Sequence, residues 1–292
     1  MKQVLVLSGK GGTGKTTVAA ALIELSGCLA FADCDVDAPN LRLAMPRLTE
    51  FGKSDYYGLG KASIDPEKCI RCGLCGKHCA FGAIRDCKVD EFECEGCGVC
   101  AELCPANAVA MRDAVSGQTE LYRDNEKVLS TARLRMGGGA SGKLVTAVKR
   151  QLVRESTGAE IAILDGSPGI GCPVIASISG VDFVLLVAEP TVSGLHDLNR
   201  ILETVRHFGV ACAVCINKYD VAPDVAGEIE RFCGGLTVPV VGRIPFDGTV
   251  VKAVNRCQSI ASYPDSPAGR AVAAIWDRIS ERLSGENKNN GQ

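Results

Sequence analysis

Three observations predict an α/β protein built on a doubly wound, mostly parallel sheet. Short apolar runs of strand length alternate with longer segments of helical period over most of the 292 residues. Helices that alternate with strands in this way cover both faces of a parallel sheet. Between residues 60 and 112 the alternation stops, and cysteine, glycine and charged residues become dense. The sequence therefore predicts a small α+β insert that interrupts the sheet-forming chain after its second strand.

The sheet-forming elements follow from the apolar runs in chain order. Strands are expected at residues 3–8, 29–33, 161–164, 183–187, 211–216 and 239–244, with two short ones at 120–122 and 128–134. Helices are expected at residues 15–25, 142–155, 195–208, 221–232 and 268–283. The sheet-forming domain is thus predicted to comprise residues 1–59 and 113–284, and the insert residues 60–112. Residues 285–292 are polar and rich in asparagine, which predicts a disordered tail.

The composition excludes several classes of function. The net charge is −2 and aromatic residues make up 5% of the chain, so neither a basic footprint for nucleic acid nor a base-stacking surface is expected. The sequence shows no signal peptide and no apolar run of bilayer length, which predicts a cytoplasmic protein without stable membrane association. Thiols stay reduced in that compartment, so the sixteen cysteines indicate metal binding rather than disulfides.

A phosphate-binding loop is predicted at residues 8–17, where SGKGGTGKTT fits the pattern G-x-x-x-x-G-K-[ST]. An apolar strand precedes the loop and a helix follows it, so backbone N–H groups and the helix N-terminus face a phosphate group. Lys15 is expected to contact the β- and γ-phosphates of ATP, and Thr16 to hold Mg²⁺. The residues predicted to bind ATP or ADP here are Gly9, Lys10, Gly11, Gly12, Thr13, Gly14, Lys15, Thr16 and Thr17.

The cysteines of the insert form two copies of one motif. Residues 69–79 and 94–104 each have the spacing C-x₂-C-x₂-C-x₃-C, which is the [4Fe–4S] pattern of bacterial ferredoxins. A zinc site fits poorly, because it needs cysteine pairs with a longer gap between them. The fourth cysteine of each run serves the other cluster. Cluster one is then predicted to use Cys69, Cys72, Cys75 and Cys104, and cluster two to use Cys94, Cys97, Cys100 and Cys79.

The phosphate-binding loop contains a second lysine, Lys10, which an ordinary loop of this kind does not need. The motif K-G-G-x-G-K-T resembles the deviant Walker A motif of the MinD superfamily of P-loop ATPases, which includes the Mrp-type iron–sulfur carriers and the nitrogenase iron protein. The resemblance covers the whole chain except the tail, with a two-cluster ferredoxin domain inserted. It implies a homodimer with nucleotides at the interface, in which Lys10 reaches the nucleotide of the partner subunit.

The same resemblance implies roles for polar residues that follow other predicted strands. Residues 33–41 resemble switch I, which implies that Asp35 serves the Mg²⁺ shell and Asp37 orients the attacking water. Residues 161–169 resemble Walker B and switch II, which implies Mg²⁺ binding by Asp165 and γ-phosphate sensing by Gly169. The residues then assigned to adenine are Asn217 and Lys218, and those assigned to catalysis are Lys10, Lys15, Asp37 and Asp165.

Three further features of the sequence have no assigned part in nucleotide or cluster binding. Residues 137–143 match G-x-x-x-x-G-K, but leucine follows and the Mg²⁺-binding hydroxyl is missing, so they are interpreted as a loop and helix start near the insert. Cys172 follows switch II, the region in which the nitrogenase iron protein ligates its bridging cluster, but no further ligands for such a cluster are identified. Cys87 lies between the two cysteine runs and has no evident role.

Two functions of different classes remain open. The first is ATP-gated electron transfer through two [4Fe–4S] clusters to a partner protein, favoured because complete ligand sets indicate stable, redox-active clusters. The alternative is an ATP-dependent carrier or scaffold that hands metalloclusters to apo-proteins. A positioning ATPase like MinD is disfavoured by the insert, and the C-terminal helix has mixed charge rather than a basic membrane-binding face.

Overall fold

The main sheet has nine strands in the computed structural model, which describes residues 1–289. Their spatial order is β13 (Val240–Ile244), β12 (Ala211–Asn217), β11 (Phe183–Ala188), β1 (Lys2–Leu7), β10 (Ile161–Asp165), β2 (Ala30–Asp33), β9 (Lys127–Leu134), β8 (Val115–Asp124) and β3 (Thr49–Tyr57). The strands from β13 to β9 are parallel, and β8 and β3 extend the sheet in antiparallel orientation. The predicted α/β class with a mostly parallel sheet is confirmed.

Helices cover both faces of this sheet. One face packs against α4 (Ser141–Glu155), α5 (Cys172–Ile178), α6 (Val192–His207) and α7 (Pro223–Gly235). The other face packs against α1 (Lys15–Ser26), α8 (Gly248–Asn255) and α9 (Pro267–Asn289). No helix described within residues 1–289 combines the length and the apolarity needed to cross a bilayer.

The central strand β1 contributes to both cores. Leu5 and Leu7 are fully buried on the face that packs against α4 to α7, whereas Val4 and Val6 are buried against α1 and α9. Successive side chains of a strand point to opposite faces of the sheet. A strand that is covered on both sides therefore needs an uninterrupted apolar run, which is the pattern that predicted β1.

The insert leaves the sheet at the end of β3 and returns at the start of β8. These strands pair directly, with Tyr57 opposite Val115, so the intervening residues project from the end of a hairpin. Within the insert, β4 (Lys61–Ile64) pairs with β7 (Val109–Arg112), and β5 (Ile84–Arg85) pairs with β6 (Lys88–Val89). Two single-turn helices, α2 (Leu74–Lys77) and α3 (Val99–Glu102), complete it.

The insert projects from the same edge of the sheet at which the parallel strands end. Gly117, near the start of β8, lies opposite Leu134, the last residue of β9. β9 in turn runs parallel to β2, which ends at Asp33. Ligands of open α/β sheets bind at this carboxyl edge. The hairpin therefore brings the cysteine runs to the edge that carries the phosphate-binding loop.

Most predicted elements are present, and the differences have local causes. The sequence does not predict β3, because this edge strand is mostly exposed and lacks an apolar run; the insert consequently follows the third strand rather than the second. It also does not predict α5 and α8, which have 7 and 8 residues and are too short to show a helical period. α9 extends into the predicted disordered tail as far as Asn289, and residues 290–292 lie outside the described residues.

Replacing Leu5 by alanine is expected to lower the free energy of unfolding by about 2–5 kcal/mol, because the side chain is fully buried in the central strand. Leu43→Ala is the matched control, since Leu43 is 67% exposed. The control should change the free energy by less than about 0.5 kcal/mol. Urea denaturation followed by circular dichroism measures both changes, and equal effects would contradict the central position of β1.

Candidate functional site

The phosphate-binding loop connects β1 to α1, and crowding explains two of its glycines. A Cβ atom on Gly9 would lie 2.6 Å from Asp197 of α6, and one on Gly14 would lie 2.3 Å from the side-chain amide of Asn217. Gly14 also has a left-handed backbone, with φ of 90°. The loop is thus held between α6 and the end of β12.

The remaining loop residues border the space in front of this edge. Gly11 and Gly12 are exposed, and a Cβ atom on either would meet nothing within 4 Å. Thr13 is buried, and its hydroxyl oxygen has no hydrogen-bond partner in the described part of the chain. Thr17 lines, together with Thr16, a cavity of about 210 Å³ beside the loop. A buried hydroxyl without a partner calls for a polar group nearby, and Thr16 and Thr17 offer further hydroxyls toward the cavity.

Asp165, the last residue of β10, brings two predicted loop residues together. Its Oδ1 accepts a hydrogen bond from Nζ of Lys15 at 2.5 Å, and its Oδ2 accepts one from Oγ1 of Thr16 at 2.7 Å. The Asp165 carboxylate is fully buried and the Lys15 ammonium nearly so. Hydroxyl and carboxylate oxygens are hard ligands that Mg²⁺ accepts together with phosphate oxygens, so these residues fit a nucleotide with Mg²⁺.

The loop after β2 contains the other predicted carboxylates. Asp35 is partly buried and lies near Lys15 and Asp165; burial raises the pKa of its carboxyl, and the charge of Lys15 opposes that rise. Asp37 is exposed at the surface of the same loop. Asp35 is therefore close to the candidate Mg²⁺ position, whereas Asp37 faces solvent.

A third carboxylate, that of Asp33 at the end of β2, has a role that the sequence does not indicate. It is fully buried, and its oxygens accept N–H bonds from Asp35 at 3.0 Å, Asn40 at 2.8 Å and Leu41 at 2.9 Å. Burial, followed by the neighbouring carboxylate of Asp165, raises the pKa of Asp33 to about 7, although these N–H bonds oppose the rise. Asp33 thus fixes the shape of the loop that presents Asp35. The missed signal was its position as the last residue of an apolar strand.

The loop after β10 is tied to both neighbouring strands. Gly169 has φ of 92°, and its N–H donates to the backbone oxygen of Ser8 at 3.0 Å. Ser167 donates from its hydroxyl to the backbone oxygen of Cys34 at 3.0 Å. The predicted γ-phosphate sensor is consequently in direct contact with the start of the phosphate-binding loop.

The second loop lysine, Lys10, is held within its own subunit. Its Nζ lies 2.9 Å from Oγ1 of Thr191, 3.2 Å from Oγ of Ser193 and 3.3 Å from a carboxylate oxygen of Glu189. The other oxygen of Glu189 lies 2.9 Å from Nζ of Lys218. Although burial raises it, the pairing with Lys218 and Lys10 lowers the pKa of Glu189 below its ordinary value. Glu189, which sequence reasoning missed, follows β11 and bridges two predicted nucleotide ligands.

The predicted adenine residues lie beside the loop, at the end of β12. Asn217 donates from its side-chain amide to the backbone oxygen of Thr13 at 2.7 Å. Lys218 has a left-handed backbone with φ of 55°. The Asn217 amide therefore supports the phosphate-binding loop directly. Nζ of Lys218 donates to a carboxylate oxygen of Glu189 at 2.9 Å.

The four cysteines assigned to cluster two line one small cavity of about 20 Å³ in the insert. These residues are Cys79, Cys94, Cys97 and Cys100. Cys94 and Cys100 are buried, and burial, followed by the nearby Cys94 thiol, raises the pKa of Cys100. Cys79 comes from the first run and the other three come from the second, so the structure brings the predicted set together.

The cysteines assigned to cluster one are partly grouped. Burial raises the pKa of the Cys75 thiol, and the thiols of Cys69 and Cys72 lie near enough to raise it further. The sulfur of Cys104 accepts the N–H of Ala108 at 3.2 Å, which lowers the pKa of Cys104. Cys75 and Cys104 pack against the same small core of the insert.

Two cysteines without a predicted role are placed differently. The Cys87 thiol lies near the Cys69 thiol, whose proximity is the main reason that the pKa of Cys87 is raised. Cys172 is exposed at the first turn of α5. Across residues 1–289, no three cysteine, histidine or acidic side chains converge as ligands of a single metal ion.

Comparison with known proteins identifies the family. The family model described as "CobQ/CobB/MinD/ParA nucleotide binding domain" matches residues 4–260. An uncharacterised protein of Methanocaldococcus jannaschii is 34% identical over 96% of this chain and 96% of its own length. The protein named iron-sulfur cluster carrier protein of Pyrococcus furiosus is 23% identical over 99% of this chain and 89% of its own length.

A solved structure shows the same fold. The septum site-determining protein MinD of Pyrococcus horikoshii, complexed with Mg-ADP, superimposes with a TM-score of 0.57 at 18% identity. The superposition covers 97% of each chain. The family model spans most of the chain and includes the phosphate-binding loop, Asp165 and Asn217. The chain therefore belongs to the CobQ/CobB/MinD/ParA family of nucleotide-binding domains.

Proposed function

We propose that this protein binds and hydrolyses ATP as a homodimer and couples its nucleotide state to electron transfer, through two [4Fe–4S] clusters, to a partner protein. One observation carries the proposal: the hairpin of β3 and β8 brings two complete cysteine runs to the sheet edge that carries the phosphate-binding loop. A ferredoxin-like insert at that edge lies at the same end of the sheet as the nucleotide.

The charged residues of the loop have to exchange partners when ATP binds. Lys15 is paired with Asp165, so its ammonium group moves from that carboxylate to the β- and γ-phosphates. Thr16, Asp35 and Asp165 would hold Mg²⁺, which would neutralise phosphate charge there. Asp37, being exposed, is free to orient the attacking water. For Gly169 to present its backbone N–H to the γ-phosphate, that N–H has to leave the backbone oxygen of Ser8. Asn217 and Lys218 lie beside the loop, at the position proposed for the adenine.

The homodimer depends on a second exchange. For Lys10 to reach the partner's nucleotide, its ammonium group has to leave Glu189, Thr191 and Ser193. Glu189 keeps its 2.9 Å contact with Lys218 when Lys10 departs. No buried carboxylate is left unpaired, so the release of Lys10 costs little.

The donor sets of the insert support iron–sulfur clusters. Thiolates are the ligands of [4Fe–4S] clusters, and four of the eight cysteines line one cavity. Cluster two would be held by Cys94, Cys97, Cys100 and Cys79, and cluster one by Cys69, Cys72, Cys75 and Cys104. Such clusters supply one-electron transfer when bound. The described contacts suggest no further ligands for a bridging cluster at Cys172, and none is proposed.

The alternative function is an ATP-dependent iron–sulfur cluster carrier or metallocluster assembly factor. The specific observation in its favour is the similarity to the Pyrococcus furiosus relative that is named a cluster carrier. The redox function is favoured by the burial of Cys94 and Cys100, since buried ligands hinder the loss of a cluster.

Lys10→Ala is expected to keep nucleotide binding, because Glu189 remains paired with Lys218 within the monomer. It is expected to lose ATP-dependent dimerisation, because no ammonium group at position 10 reaches the nucleotide of the partner subunit. Lys252→Ala, a substitution of a solvent-exposed lysine on α8, is the control and should dimerise normally. Analytical ultracentrifugation with ATP and Mg²⁺ measures the effect. Full dimerisation of Lys10→Ala would defeat the proposed role of this lysine between subunits.

The anaerobically purified protein is expected to contain about eight iron atoms per chain, as two [4Fe–4S] clusters require. Cys97→Ser removes a proposed ligand of cluster two and should lower the iron content by about half. Cys257→Ser replaces an exposed cysteine outside the insert and should not change it. Zinc in place of iron and sulfide in the wild-type protein would refute the cluster assignment.

A transfer assay separates the two functions. The iron-loaded protein is mixed with apo-ferredoxin, with and without ATP, and the acceptor is re-isolated. Electron transfer as the function predicts reversible reduction of both clusters in a reductive titration and retention of the iron. Clusters that leave readily and reassemble in the acceptor would instead establish the carrier function.

A further inference from the structure

A glycine-rich segment that the nucleotide site does not use lies between the insert and switch II. We name residues 137–142 the glycine loop; their sequence is GGGASG. The loop follows β9 and enters α4, which begins at Ser141. Its resemblance to a phosphate-binding loop is misleading, because neighbouring protein atoms occupy the space in front of its glycines, so that no room is left there for a phosphate group.

The first part of the glycine loop packs against the residues around Cys94. A Cβ atom on Gly137 would lie 3.1 Å from Cα and Cδ1 of Phe92, and one on Gly139 would lie 2.8 Å from a carboxylate oxygen of Glu95. Phe92 and Glu95 flank Cys94, a proposed ligand of cluster two. The close approach of these two segments therefore depends on the absence of a side chain at Gly137, which meets the backbone of Phe92, whereas the Glu95 carboxylate beside Gly139 is the mobile end of its side chain.

Lys61 ties the same two segments together. It is the first residue of β4, and its Nζ donates hydrogen bonds to the backbone oxygen of Cys94 and, at 3.0 Å, to the backbone oxygen of Gly137. One ammonium group thus bridges the chain at a proposed cluster ligand and the start of the glycine loop. Bonds from a charged donor are stronger than neutral ones, so this is a firm connection.

The last part of the glycine loop packs against the helix that follows switch II. A Cβ atom on Gly142 would lie 2.9 Å from the backbone oxygen of Cys172, the first residue of α5. Farther along α4, Nζ of Lys149 donates to the backbone oxygens of Ser177 at 2.8 Å and Ser179 at 2.6 Å, at the end of α5. α4 and α5 are therefore fastened to each other at both ends of α5.

We propose that Lys61 and the glycine loop transmit nucleotide-dependent movement of switch II to the chain around Cys94, and hence to cluster two rather than cluster one. The inference rests on the proposed function and adds the route and the cluster. α5 begins three residues after Gly169, so displacement of switch II displaces Cys172, against which the glycine loop is packed without a gap. Close-packed backbone passes such a shift on because it cannot be compressed.

The first cysteine run lacks a comparable connection in the described chain. Within residues 1–289, the hydrogen bonds of the segment 69–79 all end inside the insert, for example from the N–H of Cys69 to the backbone oxygen of Asp65 and from Lys77 to Gly73. Cys94, by contrast, is tied through Lys61 to a segment of the sheet-forming domain. This difference predicts an unequal response of the two clusters.

Lys61→Met tests the route, because it keeps the aliphatic stem and removes both hydrogen bonds. The iron-loaded full-length protein is examined by hydrogen–deuterium exchange with and without a non-hydrolysable ATP analogue and Mg²⁺. In the wild type we expect a nucleotide-induced change at residues 92–97 that exceeds the change at 69–77. In Lys61→Met that change should fall at least twofold, with iron content and analogue affinity unaltered. The nucleotide-induced shift in the midpoint potential of cluster two, assigned with Cys97→Ser, should fall in parallel.

Two control variants and a second test variant accompany Lys61→Met. Lys88→Met replaces an exposed lysine of the insert and should behave as wild type. Gly142→Ala wedges α4 away from Cys172 and should also weaken the response, whereas Gly227→Ala adds a methyl group to α7 with nothing within 4 Å and should not.

The outcomes distinguish the proposed route from the proposed function on which it rests. A wild-type response at 92–97 that persists in both Lys61→Met and Gly142→Ala would overturn the route, as would a larger response at 69–77. A wild-type protein that binds neither iron nor the analogue would instead overturn the proposed function, and the inference with it.

Discussion

The buried carboxylate of Asp165 is the contact on which the nucleotide site depends. Its two side-chain oxygens hold Lys15 and Thr16, and its backbone oxygen accepts the N–H of Cys34 at 2.7 Å. One residue at the end of β10 therefore positions the phosphate-binding loop on one side and the loop after β2 on the other. Loss of this carboxylate would leave a buried ammonium group without a partner, at a cost of about 3–5 kcal/mol.

Each functional lysine of the site is paired with a carboxylate of the same chain. Lys15 is held by Asp165 and Lys10 by Glu189, and both carboxylates lie at the ends of parallel strands. The two pairs differ in burial, since Lys15 is nearly inaccessible and Lys10 is partly exposed. Exposed pairs are worth little and exchange easily. The Lys10–Glu189 pair is therefore the more easily exchanged of the two.

The insert is joined to the sheet by β3 and β8. Its supporting strands β3 and β8 are antiparallel additions at the edge of the parallel sheet, so they enlarge the sheet without disturbing the strands that carry the nucleotide site. The pairing of β8 with β9 sets where the insert projects, and the glycine loop after β9 returns to meet it. The nucleotide and cysteine sites therefore lie at the same carboxyl edge of the sheet, with β10, β2 and β9 between β1 and β8.

The sequence by itself determined the α/β class, the phosphate-binding loop, the position of Asp165 and the two cysteine runs. These are local patterns, in which the spacing within a few residues fixes the backbone or the ligand geometry. Only the tertiary structure decided the structural role of Asp33, the pairing of Lys10 with Glu189, the existence of β3 and the packing of the glycine loop against the residues around Cys94. Each of these joins segments whose proximity depends on strand order and helix packing, and no local spacing encodes such a contact.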